Sequence, residues 1–66
     1  MNIYINGKLQ NVAQDCTAQT LIESLNLQDV KIAMEVNREI VPRGEYKDYV
    51  FNEDDKVEIV RAIGGG

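Results

Sequence analysis

Histidine is missing from this 66-residue chain, and cysteine occurs once, at Cys16. A zinc site of the usual Cys/His kind therefore cannot be assembled. Ser-His-Asp and Cys-His nucleophilic arrangements fall with it. A lone thiol also excludes an internal disulfide framework, so nothing points to an oxidising compartment and a cytoplasmic location is expected. No apolar run exceeds four residues, far short of the ~20 that cross a bilayer. The opening "MNIYING" is short and already alternates, so no signal peptide is expected. Basic residues are scarce too: 7 Lys and Arg stand against 11 Asp and Glu, for a net charge of −4. Attraction to nucleic acid or to an anionic membrane is not expected. The acidic balance suits a partner with a basic docking surface.

What is present reads as one small folded domain. Apolar residues make up 44% of the chain, which suits a globule and argues against disorder. A chain this short buries only about 60% of its unfolded surface, so its stability margin is modest. Ile3 and Ile5 alternate with Tyr4 and Asn6, and Asn6-Gly7 is the dipeptide of a type I′ hairpin turn. A two-residue loop pairs Ile5 with Lys8, Tyr4 with Leu9 and Ile3 with Gln10. Tyr4 and Leu9 then share a face opposite the isoleucines, unless a bulge shifts the register.

In "DCTAQTLIESLNL" the residues Ala18, Leu21, Ile22 and Leu25 form one helical stripe, with Thr17 as N-cap. Cys16 and Leu21 occupy the two positions of a hydrophobic staple. Cys16 can be read as a redox thiol or as a small apolar plug, and the plug is the reading adopted. Ile32, Met34 and Val36 mark a third strand, and "NRE" turns the chain into the apolar step Ile40-Val41. Pro42 ends ladder pairing there. "RGEYKDYVF" is irregular with one short 3₁₀ turn, and "NEDD" turns into a last strand over Lys56–Ile63. Its Val57 and Ile59 lie on one face, Val60 and Ala62 on the other.

The predicted fold is α+β: a mixed sheet of four to five strands with one helix packed on one face. If the last strand lies beside the first, the two run parallel in the middle of the sheet. This order fits the β-grasp, or ubiquitin-like, fold, with residues 1–63 as the domain and 64–66 as a flexible Gly-Gly-Gly tail.

"VNREIVPRGEY" (Val36 to Tyr46), the "EDDKVEIV" turn and strand, and the final Gly-Gly resemble the ThiS family of ubiquitin-like sulfur carriers. The extra Gly64 departs from the family pattern and is read as a longer tail. The resemblance implies that Gly66 is adenylated by a ThiF-like, E1-like enzyme using MgATP, with no cofactor bound to the carrier itself. A sulfur donor, fed by a cysteine desulfurase system, then converts the adenylate to a thiocarboxylate. A ThiG-like thiazole synthase takes that sulfur for thiamine biosynthesis.

The tail chemistry is physically reasonable. A free α-carboxylate has a pKa of about 3.3–3.7 and is a poor acyl donor until activated. Glycine lacks a Cβ, so Gly64 and Gly65 can thread a channel that excludes water from the reactive carbonyl. On this reading the chain is no enzyme but a carrier, monomeric alone. Tyr4, Leu9 and Val60 are the candidate docking patch, although scattered surface apolars are common. Arg43 and Arg61 are read as solvated charges. A carrier of the MoaD type for another acceptor, and a protein modifier, remain the alternatives at this stage.

Overall fold

Each local signal resolves into an element of the computed structural model, which describes residues 1–61. Strand β1 (Asn2–Ile5) and strand β2 (Lys8–Asn11) form the hairpin, and their register is the expected one: Ile3 with Gln10, Tyr4 with Leu9, Ile5 with Lys8. No bulge intervenes, because Asn6 and Gly7 both take positive φ (50° and 84°), as a type I′ turn needs. A Cβ at Gly7 would meet nothing within 4 Å, so glycine is used there for its backbone freedom and not for space.

Helix α1 spans Ala18–Ser24, and the Thr17 hydroxyl accepts from the Thr20 N–H at 3.1 Å. The predicted stripe is one residue too long. Leu25 is the C-cap and stays 42% exposed, because the chain reverses at Asn26 (φ 59°). Asn26 N–H donates to Glu23 O and Leu27 N–H to Ile22 O, closing the helix in a Schellman motif. Leu27, not Leu25, turns back against the core.

Strand β3 (Ile32–Val36) and strand β4 (Glu39–Val41) form a second hairpin, turning on Asn37 and Arg38, both with positive φ. A 3₁₀ segment, Arg43–Asp48, leads to the last described strand, β5 (Lys56–Arg61). Among the described residues there are five strands, in the order β2-β1-β5-β3-β4. β5 runs parallel to β1 and antiparallel to β3, which places it at the centre of the sheet. The predicted final strand reached Ile63; residues 62 and 63, like the glycines 64–66, lie outside the described residues.

The helix covers one face only. Ala18, Leu21 and Ile22 pack with Ile3, Met34, Val36, Val41 and Val57 from the sheet, and Tyr46 and Phe51 close the edge. Cys16 belongs to the same cluster, at the helix entrance, which is stitched to a neighbouring segment. There Ala18 N–H donates to Tyr49 O and Phe51 N–H to Cys16 O. Burial raises the Cys16 thiol pKa above its ordinary value, and the nearby Asp15 charge adds to the effect. A protonated, buried thiol is a poor nucleophile, consistent with the apolar plug.

Candidate functional site

The uncovered face of the sheet carries the predicted patch. Alternation along each strand sends every second residue outward, so Leu9 on β2, Tyr4 on β1 and Val60 on β5 all lie on the face away from the helix. Leu9 and Val60 are each more than half exposed, and Tyr4 is half-buried. The three do not form one contiguous cluster. Tyr4 and Leu9 are direct cross-strand partners, whereas Tyr4 aligns with Lys56 on β5. Val60 stands four residues farther along that strand, a distance of roughly 13 Å. Glu58 occupies the outward position between Lys56 and Val60.

The face also holds a residue that the sequence reading did not select. Ile40 points outward opposite Glu35, and at 72% exposure it is the most exposed large apolar side chain described. The signal was the strand alternation itself: with Val41 buried against Met34, Ile40 has to face out. Acidic residues divide these apolar islands. Glu35 and Glu58 are direct cross-strand partners, a like-charge pairing that disfavours the isolated sheet. Together with Asn37, Arg38 and Lys56 they line a depression of about 620 Å³. A smaller groove of about 160 Å³ lies between Tyr4, Gly7, Lys56, Val57 and Glu58.

Strand β5 is the element that leads to the glycines, and asparagine side chains hold it near both ends. At its start, Lys56 N–H donates to Asn37 Oδ1 at 3.0 Å, and Asn37 Nδ2 donates to Asp55 Oδ1 at 2.9 Å. Asp55 is the buried charged residue of the described chain, and its other oxygen accepts from Asn52 N–H at 2.8 Å. Near the other end, Asn6 bonds both main-chain groups of Ile59.

The two arginines separate. Arg61 ends β5 and is exposed, as a solvated charge should be. Arg43 is not simply solvated. Its guanidinium donates to Gln28 O at 2.9 Å and Val30 O at 3.1 Å, and lies 6.0 Å from the Tyr46 ring centre. It ties down the loop after the helix, away from the open sheet face. The predicted reactive residue, Gly66, and the threading residues Gly64 and Gly65 lie outside the described residues. Among the described residues no group of three metal-ligating side chains occurs, and no helix is long and apolar enough to cross a membrane.

A central strand parallel to the first, flanked by two hairpins and covered on one side by a single helix, defines a β-grasp domain. The crystal structure of the thiamine biosynthesis protein ThiS from Geobacter metallireducens superimposes on it with a TM-score of 0.85 and 28% identity, over the full length of both chains. A ThiS family model matches residues 3–66, and the chain belongs to that family. It is 27% identical to the sulfur carrier protein ThiS of Escherichia coli, over 66 residues and the whole of both proteins. It is also 41% identical to a thiazole synthase of Paramagnetospirillum magneticum and 39% identical to one of Magnetococcus marinus. The chain spans only about a fifth of those two proteins (20% of each).

Proposed function

We propose that this chain is a sulfur carrier of thiamine biosynthesis whose reactive group is the carboxylate of Gly66. The observation that carries the reading is the extent of the family match, which runs from residue 3 through the last glycine. Residues 1–63 act as a handle and 64–66 as the arm. A carboxylate oxygen of Gly66 attacks the α-phosphorus of MgATP held by a ThiF-type enzyme, and pyrophosphate leaves. A cysteine desulfurase system supplies persulfide sulfur, a thiol reductant releases it at the oxidation level of hydrosulfide while itself becoming a disulfide, and that sulfur adds to the acyl carbon. AMP leaves, and a thiocarboxylate remains. The catalytic groups belong to the partners, and the carrier, a monomer working in the cytoplasm, holds no cofactor of its own.

The acceptor is a ThiG-type thiazole synthase. In its favour, a region similar to this whole chain forms a fifth of two thiazole synthases (20% of each). The open sheet face is the docking surface for the ThiF-type enzyme, with Tyr4, Leu9 and Val60 as its apolar contacts and Glu35 and Glu58 matching a basic partner. Two carboxylates set opposite each other repel in the free protein, and a cation between them would relieve that repulsion.

The test is reconstitution with MgATP, a ThiF-type enzyme and a ThiG-type synthase. Pyrophosphate exchange into ATP should require this chain, and thiazole formation should require its thiocarboxylate. Exchange that proceeds equally well without the chain refutes the reading.

A further inference from the structure

We infer that Asn6 is a positioning residue for the chemistry at Gly66, an inference that rests on the sulfur-carrier reading above. Asn6 stands where β1 leaves β5 for the hairpin turn. Its main-chain N–H still donates to Val57 O at 2.9 Å. Beyond that bond the backbone of β1 turns away, and the side chain takes its place. Ile59 N–H donates to Asn6 Oδ1 at 2.9 Å, and Asn6 Nδ2 donates to Ile59 O at 3.2 Å. The primary amide thus stands in for one further residue of a parallel strand, with one donor and one acceptor.

The effect is local to the stretch from which the tail departs. On its other side, β5 is paired with β3 through Ala33–Val60 and Ile32–Arg61. On the β1 side, the backbone pairing ends with Ile5–Val57, so the Asn6 amide extends the grip to Ile59. Turn geometry alone does not require this side chain. Glycine and aspartate also tolerate the positive φ of a type I′ turn, but only asparagine adds both a donor and an acceptor. Both bonds are solvent-exposed and therefore contribute little to global stability. What they restrict is the direction in which β5 delivers the five residues that follow Arg61. Those residues reach at most about 17 Å, and adenylation depends on where that reach is aimed.

The experiment compares adenylate formation by a ThiF-type enzyme for wild type, Asn6→Gly, Asn6→Asp and Arg43→Ala, with amide exchange at Ile59 followed by NMR. Asn6→Gly keeps the turn and removes the amide. It should speed Ile59 exchange about tenfold and lower kcat about tenfold, since about 1 Å of misplacement can cost 10²-fold. KM for the carrier should change little, because Tyr4, Leu9 and Val60 are untouched. Asn6→Asp retains the acceptor for Ile59 N–H and should recover part of both losses. Arg43→Ala removes the two side-chain bonds to Gln28 O and Val30 O, away from the open sheet face. It should lower Tm at least as much as Asn6→Gly while leaving kcat unchanged.

A wild-type kcat for Asn6→Gly overturns the proposal. So does a kcat that follows Tm across the variants instead of following Ile59 exchange. If the wild-type chain itself is never adenylated, the sulfur-carrier reading fails and the positioning role fails with it, whatever the exchange data show.

Discussion

Replacing Val60 by threonine separates docking from folding more cleanly than any truncation. Both side chains branch at Cβ and suit a strand, and Val60 is 60% exposed, so the free domain should change by no more than about 0.5 kcal/mol. Docking is a different matter. Burying a whole valine side chain contributes about 1.5–3 kcal/mol; with 60% of Val60 still exposed, about 1–2 kcal/mol remains to be gained against a partner. Threonine loses roughly one methyl group of that gain, near 0.8 kcal/mol, and carries a hydroxyl whose unpartnered burial costs about 1–3 kcal/mol. The sum is about 2–4 kcal/mol, or a 30-fold or larger rise in Kd for the ThiF-type enzyme. Val50→Thr is the matched control. Val50 is 50% exposed and bridges to Thr17 at the helix entrance, off the open face. Titration calorimetry should find wild-type affinity for Val50→Thr. Equal affinities for the two variants would refute the assignment of Val60 to the docking surface.

Three further outcomes follow from particular residues. Gly65→Val and deletion of Gly66 should each abolish adenylation while leaving Tm within about 1 °C of wild type, because the buried core is built from residues 3–57; normal adenylation of Gly65→Val would remove the case for a narrow channel. Arg43→Ala should destabilise by about 1 kcal/mol, the value of two exposed charge-assisted bonds discounted for solvent, and urea midpoints should show this with adenylation unchanged. Burial, the largest cause in each case, raises Cys16 above 9.0 and Tyr46 and Tyr49 above 10.0. The unfolded chain therefore loses these protons first, so stability is full below pH 9 and falls as pH rises through the raised folded values. Midpoints that climb from about pH 8 to about pH 10.5 would contradict that burial.

Much of the architecture was legible because its signals are local. Asn6-Gly7 sets a two-residue turn and with it the whole β1–β2 register, and Thr17 caps the helix that it precedes. The parallel pairing of the first and last strands followed from how elements of this order pack. What was missed depends on partners distant in sequence. Arg43 reaches carbonyls 13 and 15 residues back, and the Asn6 amide meets Ile59 across 53 residues. Leu25 fitted the helical stripe, yet Asn26 reverses the chain before that position can be buried. Ile40 read as part of an apolar step because a three-residue strand is too short to show its alternation. The reading of Gly64 to Gly66 rests on composition and family likeness alone, because these residues lie outside the described structure.

Intact mass spectrometry of the chain, incubated with MgATP, a ThiF-type enzyme and a sulfur source, is the most direct test of whether Gly66 carries sulfur. The expected product has one oxygen at Gly66 replaced by one sulfur, preceded by a transient that carries one added AMP. An unchanged mass under conditions in which another ThiS-family carrier is converted by the same enzyme would contradict the sulfur-carrier reading.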